Sequence, residues 1–106
     1  MLFRSEAGAP VPVDVKSIAA DSLGARTVGR YAFEIARDAV DHVALVDDKA
    51  IRDAQHILWR DFRIMSEPGG AAALAALLAG VYKPKKGEHV GVLLCGANVD
   101  PAMVVS

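Results

Sequence analysis

The longest uncharged stretch of this chain constrains its fold more than any other feature. It runs from residue 68 to residue 82 and consists mainly of alanine and leucine. Proline at its start and Gly80 after its last turn predict a helix over residues 68–79. Because no face of this helix carries a charge, we expect it to be buried on nearly all sides.

Two more helices and two strands are predicted around it. Apolar residues recur at helical spacing in residues 26–39 and in residues 48–64, and either aspartate of Asp47-Asp48 is a natural N-cap for the second of these helices. Short apolar runs at residues 43–46 and 89–94 favour buried strands. The order helix, strand, helix, helix, strand predicts an α/β fold, a small layer with short parallel strands and about three helices.

The predicted helix over residues 26–39 has an unusually regular apolar stripe. Its members are Val28, Tyr31, Ala32, Ile35, Ala36 and Ala39, and we expect that the apolar faces of this helix and of the next cannot all be covered within 106 residues. Hydrophobic residues make up 53% of the chain, yet a chain this small has much surface for its volume. Some of the apolar area is therefore expected to meet a partner or a second copy.

Length and charge limit the domain organisation and the classes of partner. At 106 residues the chain is one domain at most, and two prolines between residues 7 and 15 favour an extended segment. We expect an N-terminal connector over residues 1–15 and a single α/β domain over residues 16–106. A net charge of −1 gives no electrostatic case for nucleic acid or an anionic membrane. No signal-peptide pattern or membrane span is evident, so a cytoplasmic location is expected.

Two loops combine small residues with reactive side chains. Ser66-Glu67-Pro68-Gly69-Gly70 leads into the uncharged helix, and Cys95-Gly96-Ala97-Asn98 follows the second predicted strand. Loops at strand ends are where α/β folds place their ligand groups. From the residues alone, Cys95 could equally be a small buried side chain, and Glu67 could simply stabilise the positive end of the helix. Gly69-Gly70 could alternatively cradle an anion.

These loops, together with residues 17–24 and 43–51, resemble in order and spacing the C-terminal part of the pyridoxal-phosphate (PLP)-dependent threonine/serine dehydratases. These are fold-type II PLP enzymes of the tryptophan synthase beta-like superfamily. The resemblance implies a partial layer of the cofactor-holding domain, with PLP as cofactor. It implies an ammonia-lyase reaction, in which a hydroxy-amino acid is converted to a 2-oxo acid and ammonia. The implied partners are the N-terminal half of the enzyme, or a second copy, and the hydroxy-amino-acid substrate.

The resemblance also implies roles for individual residues. Cys95 falls where the family has a serine or cysteine facing the pyridine nitrogen of PLP, and Glu67 falls near the same ring. Asn98 belongs to the turn after Cys95, and Asp21 and Ser22 belong to the loop beside the cofactor. A neutral thiol does not hold the ring nitrogen protonated, so the ring is a weaker electron sink, which suits elimination of a β-hydroxyl.

The Schiff-base lysine of the family has no counterpart here, because in the dehydratases it lies far upstream in a serine-rich motif. None of the lysines sits in such a motif; they are Lys16, Lys49, Lys83, Lys85 and Lys86. The glycine-rich phosphate loop is missing too. We therefore expect no catalytic residue in this chain and weak or absent cofactor binding by the chain alone.

Two interpretations follow. In the first, the chain is a C-terminal fragment of a dehydratase, either a truncated product or one half of a split enzyme. Alternatively, it is a non-catalytic α/β module for binding or self-association that keeps the dehydratase scaffold. The spacing of His42, His56 and His89 matches no metal site, so no metal is expected in either case.

Overall fold

The computed structural model describes residues 7–105, and residues 1–6 and 106 lie outside this range. The described residues form five complete helices. They are α1 (Ala20–Leu23), α2 (Arg30–Ala39), α3 (Asp48–Phe62), α4 (Pro68–Leu78) and α5 (Ala102–Val105). Helices α2, α3 and α4 correspond to the three that the sequence predicts, whereas α1 and α5 are short helices that it does not.

The core lies between α3 and α4. Ile51, Ala54 and Leu58 follow one another at helical spacing along α3 and are buried. Ala71 and Ala75 of α4 are fully buried against them. Because alanine side chains are short, the two helices can approach closely along this seam. Apolar burial between α3 and α4 is thus the main force that holds the described part of the chain together.

Local signals set both ends of α3. The carboxylate of Asp47 accepts a hydrogen bond from the backbone N–H of Ala50 at 2.7 Å, so Asp47 is the N-cap. The helix ends at Phe62, two residues before the predicted end. Arg63 then adopts the left-handed conformation, with φ 56°, and its N–H returns to the carbonyls of Leu58 and Trp59.

The apolar stripe of α2 is largely exposed. The helix begins at Arg30 rather than near residue 26, and Tyr31 and Ile35 of the stripe are 81% and 68% exposed. Phe33, which lies off the predicted stripe, is the buried residue of this helix. An apolar stripe reports which face gains from burial, but burial also needs a surface to pack against. The described residues supply none for this face.

The two predicted strands are not confirmed, because no described residue belongs to a β-strand. Exposure nevertheless alternates along residues 91–96, where every second residue is half-buried, as in an extended segment with one covered face. A strand also needs a hydrogen-bonded neighbour. His42, Ala44 and residues 90–92 all line one apolar groove of about 230 Å³, whose wall includes Ala73 and Ala76 of α4.

Helix α4 is less enclosed than predicted. It buries Gly70, Ala71 and Ala75, but Ala73 is exposed and Leu78 is 49% exposed. The uncharged composition therefore leaves an open apolar flank instead of a helix buried on all sides. None of the helices in the described range is long and apolar enough to cross a membrane.

Most of the predicted N-terminal connector falls within the described range. Residues 9–16 contain no helix, and the backbone N–H of Val13 donates to the carbonyl of Arg26 at 2.9 Å. Val11, Val13 and Val15 are half-buried and alternate with exposed residues, so this segment lies along the body of the protein. The boundary between a connector and a domain at residues 15 and 16 stays a prediction.

Candidate functional site

The two loops that the sequence singles out lie side by side and are hydrogen-bonded to each other. The hydroxyl of Ser66 donates to the carbonyl of Cys95 at 2.9 Å. The backbone N–H of the next residue, Glu67, donates to the carbonyl of Gly96 at 2.5 Å. Two successive residues of one loop thus hold two successive carbonyls of the other, which fixes the register between them.

Glycines make this close approach possible. A Cβ atom at Gly70, in the first turn of α4, would overlap the carbonyl oxygen of Cys95. A Cβ atom at Gly96 would overlap the side chain of Glu67, so that carboxylate lies directly against the Gly96 backbone. Gly96 also has φ 68°, a conformation that other residues adopt only at a cost. Both positions therefore require glycine for geometric reasons.

Helix α1 brings Ser22 to the same end of α4. A Cβ atom at Gly69 would overlap the Ser22 hydroxyl, so the two residues are in close contact. The turn before α1 is tied to the start of α3 by the carboxylate of Asp48. This carboxylate accepts from the Ser17 hydroxyl at 2.6 Å and from the Ile18 backbone N–H at 3.2 Å.

The structure thus brings together three of the five predicted site residues at the N-terminal end of α4: Ser22, Glu67 and Cys95. The side chains of Asn98 and Asp21 are exposed and take no part in hydrogen bonds among the described residues. The next carboxylate along the chain, that of Asp100, caps α5 by accepting from the Ala102 N–H at 2.9 Å.

The exposure of the side chains suits a ligand-facing role. Cys95 is exposed, which excludes its alternative interpretation as a small buried residue. Glu67 is half-buried and occupies the N-cap position of α4, but its side chain makes no capping hydrogen bond. One loop carries a thiol that can donate or accept, and the loop hydrogen-bonded to it carries a carboxylate at the positive end of a helix, so together they offer polar partners to a heteroaromatic ring. The residues present therefore fit the ring side of PLP.

Groups for the rest of such a cofactor are not assembled at this end of α4. No hydrogen bond or ion pair within residues 7–105 joins a lysine to either loop; the Lys49 ammonium, for example, pairs with Asp53 at 2.6 Å. None of the predicted site residues lines the cavity of about 760 Å³ between α3 and the far end of α4. The Cys95 side chain is exposed, and Glu67 is half-buried.

The histidines lie outside these two loops. His42, His56 and His89 are all exposed. In the part of the chain that the structure describes, no group of three or more histidine, cysteine, aspartate or glutamate side chains is arranged to hold a metal ion.

Sequence reasoning missed the residues that hold the two loops together. Gln55 of α3 donates from its side-chain amide to the carbonyl of Ser66 at 2.7 Å, and both side chains are buried. Ser66 belongs to the loop that the sequence singles out but was given no role there, and Gln55 belongs to no recognisable pattern. The available signal was the pair Gly69-Gly70 at the start of an alanine-rich helix, where alanine would form the helix better. Glycine there indicates that another segment of the backbone approaches closely.

Comparisons with known proteins agree with this geometry. The sequence profile of the family described as "Pyridoxal-phosphate dependent enzyme" matches residues 1–96. The phenylserine dehydratase of Ralstonia pickettii is 39% identical over 97 residues, which are 92% of this chain and 30% of that protein. The serine racemase of Dictyostelium discoideum is 39% identical over 75 residues, or 70% of this chain and 23% of that protein.

The fold is also found in a solved structure. The crystal structure of a threonine deaminase from T.th. superposes with a TM-score of 0.79 at 30% sequence identity, and the match covers 92% of this chain but 35% of that one. The chain thus spans about a third or less of the length of the relatives that it matches. The match of the family profile to nearly the whole sequence and the matching fold show that the chain belongs to the pyridoxal-phosphate-dependent enzymes of fold type II, whose relatives here include threonine and phenylserine dehydratases.

Proposed function

We propose that this chain is the C-terminal part of a PLP-dependent ammonia-lyase and forms the ring side of its cofactor site. The reaction eliminates the β-hydroxyl of a hydroxy-amino acid as water, and one water molecule then hydrolyses the resulting enamine (through its imine form) to a 2-oxo acid and ammonia. The observation that carries the proposal is the paired loop at α4, where the Cys95 and Gly96 carbonyls are held by Ser66 and Glu67. The relatives named as dehydratases support the reaction type.

In this proposal each residue acts on the orientation or the protonation of the ring. When bound, PLP supplies an electron sink for negative charge at the substrate's α-carbon. The Cys95 thiol is the partner of the pyridine nitrogen and leaves that nitrogen unprotonated. Glu67 lies beside the ring, and its backbone is fixed by the bond to Gly96. Asn98 borders the cofactor from the turn after Cys95, and Ser22 and Asp21 border it from helix α1.

The exposure of Cys95 supports a role for this chain as one part of a larger site. A small-molecule site normally encloses most of its ligand. Neither the cavity of about 760 Å³ nor the groove of about 230 Å³ includes any of the five proposed site residues. In this proposal the lysine and the phosphate-binding groups come from another segment, which also closes the site.

A chimera tests the proposal. The part of the Ralstonia pickettii phenylserine dehydratase that precedes its match to this chain is joined to the present sequence. We expect the chimera to bind PLP and to release 2-oxo acid from phenylserine, because this chain completes the ring side. Absorbance spectra and 2-oxo-acid assays measure the two properties, and the N-terminal part without this chain is the control.

The chain alone serves as a second control, and we expect weak or absent PLP binding by it. Borohydride trapping followed by mass spectrometry would then give no specific adduct. A stoichiometric adduct at one lysine of the isolated chain would contradict the proposal. A folded chimera that binds PLP but forms no product would contradict the assignment of the reaction.

A second candidate function, a self-associating module without catalysis, is favoured by a different observation. Large apolar side chains are strongly exposed, among them Tyr31 at 81%, Leu93 at 76% and Ile35 at 68%. Monomeric proteins rarely leave extended apolar patches open.

We expect the isolated chain to self-associate, because burial of the α2 face against a second copy removes apolar area from water. Sedimentation velocity at a series of protein concentrations measures this. Ile35→Glu should weaken the association by at least about tenfold, since a buried unpaired carboxylate is costly. Arg37→Glu, an exposed change on the same helix, is the control. A chain that stays monomeric at all concentrations would contradict this candidate.

A further inference from the structure

Two polar side chains are almost fully buried in the described part of the chain, and they are neighbours. Gln55 is 2% exposed and Ser66 is 1% exposed. Burying an amide or a hydroxyl is unfavourable unless its hydrogen bonds are made inside the protein. Here they are made, since no buried side-chain nitrogen or oxygen atom of the described residues lacks a partner.

The bonds of these two residues run in one direction, from the core to the site. The side-chain amide of Gln55, on the buried face of α3, donates to the Ser66 carbonyl at 2.7 Å. The Ser66 hydroxyl then donates to the Cys95 carbonyl at 2.9 Å, and it lies 3.2 Å from the Glu67 carbonyl. We call this chain of contacts the Gln55–Ser66 relay. It connects the central core helix, α3, to the peptide group of the exposed cysteine.

The relay holds the peptide group between Cys95 and Gly96, whose backbone torsion angles would be less restricted without it. Gly96 follows Cys95 and, with φ 68°, uses a conformation that only glycine reaches without strain. The Cys95 side chain is exposed and makes no hydrogen bond with another described residue. Its direction is therefore set by the backbone alone, and the Ser66 hydroxyl is the only side-chain donor to that backbone among the described residues. Alanine would fill the same space at residue 66 but could not donate.

We propose that Ser66 and Gln55 are positioning residues, which orient the Cys95 peptide so that the thiol meets the pyridine nitrogen in a single geometry. This inference rests on the proposed role of Cys95 at the cofactor ring. The hydroxyl acts through the carbonyl of Cys95 and touches neither cofactor nor substrate. Gln55 acts one step further back, because it holds the Ser66 peptide against α3.

The first measurement uses the chain itself and needs no cofactor. In Ser66→Ala, amide hydrogen exchange measured by NMR should be about 5- to 30-fold faster at Glu67, whose N–H donates to Gly96, because the loops open more often. The Ala71 amide, bonded to Glu67 within the first turn of α4, should change less than about twofold. Tyr82→Phe removes a hydroxyl bond to Glu88 away from the site and is the matched control. Unchanged exchange at Glu67 would overturn the relay.

The second measurement separates positioning from a purely structural role. In the chimera described above, Ser66→Ala should shift the absorbance of bound PLP and lower kcat by about 10- to 100-fold, with KM changed less than about threefold. Faster exchange at Glu67 with an unchanged spectrum and kcat would overturn positioning, since the hydroxyl would then only hold two loops together. An unsubstituted chimera that binds PLP without turnover would overturn the function proposed for the site, and the positioning role with it. The exchange data would still report on the relay independently.

Discussion

Replacement of Gly70 by alanine is expected to lower the free energy of unfolding by about 3 kcal/mol or more. Helix propensity alone predicts the opposite sign, because alanine in a helix is favoured over glycine by about 1 kcal/mol. Geometry decides the outcome. The added Cβ would overlap the carbonyl oxygen of Cys95 and come close to the Ser66 hydroxyl. The carbonyl is a backbone atom held by its own hydrogen bond, so the whole Cys95–Gly96 loop would have to move.

Urea denaturation of Gly70→Ala and the unsubstituted chain measures the difference. Gly91→Ala is the matched control, because Gly91 is exposed and a Cβ there meets no atom within 4 Å. Its free energy of unfolding should stay within about 0.5 kcal/mol. If Gly70→Ala proves as stable as its parent, the close approach of α4 to the Cys95 loop does not exist in solution.

The sequence predicted a helix well where the residues that determine it, the caps and the apolar spacing, lie within the helix or next to it. Asp47 as a cap, and the spacing of Ile51, Ala54 and Leu58, determine α3 within the segment itself, and the structure agrees to within two residues. The same holds for Pro68 and Gly80 around α4, where Gly80 has φ 69°. A capped and amphipathic helix needs little information from distant residues, so its sequence suffices.

Predictions that needed a second segment fared worse. The uncharged composition of α4 predicted burial on nearly all sides, but Leu78 is 49% exposed because nothing in residues 7–105 covers it. The predicted strands at residues 43–46 and 89–94 each need a hydrogen-bonded neighbour, and no described residue forms one, although residues of both segments line the same apolar groove. The periodicity of one segment shows which face would gain from burial, but it does not show whether another segment packs against that face.

For the candidate site too, some residues were predicted from the sequence and others were not. Glu67 and Cys95 were predicted from the resemblance to the dehydratases, and the structure brings their loops together. Ser66 and Gln55 were not, because a single serine before a glutamate and a single glutamine on an amphipathic helix form no pattern. Their importance appears only when the buried surfaces of α3 and the two loops are seen together.

Cys95 should be the residue whose substitution changes the chemistry most. In the chimera, Cys95→Ser should keep PLP and most of the elimination activity, because serine also offers a neutral hydrogen-bonding group. Cys95→Ala should weaken PLP binding by about 10- to 100-fold, which corresponds to the roughly 1–3 kcal/mol of a polar group left without a partner. Cofactor dissociation constants and steady-state kinetics measure these effects.

Cys95→Asp is expected to alter the reaction itself rather than the affinity for the cofactor. A carboxylate beside the pyridine nitrogen raises the pKa of that nitrogen by about 1–3 units and holds it protonated. The ring then withdraws electrons more strongly, negative charge at the α-carbon persists for longer, and side reactions compete with clean loss of the β-hydroxyl. The ratio of 2-oxo acid to other products should therefore fall in Cys95→Asp and stay constant in Cys95→Ser.

The control for all three variants is the stability of the isolated chain. Because the Cys95 side chain is exposed, the free energy of unfolding of each variant should stay within about 0.5 kcal/mol of the parent, so that differences in the chimera arise from the cofactor site. Equal product ratios and equal PLP affinities across the three variants would mean that the thiol does not face the ring.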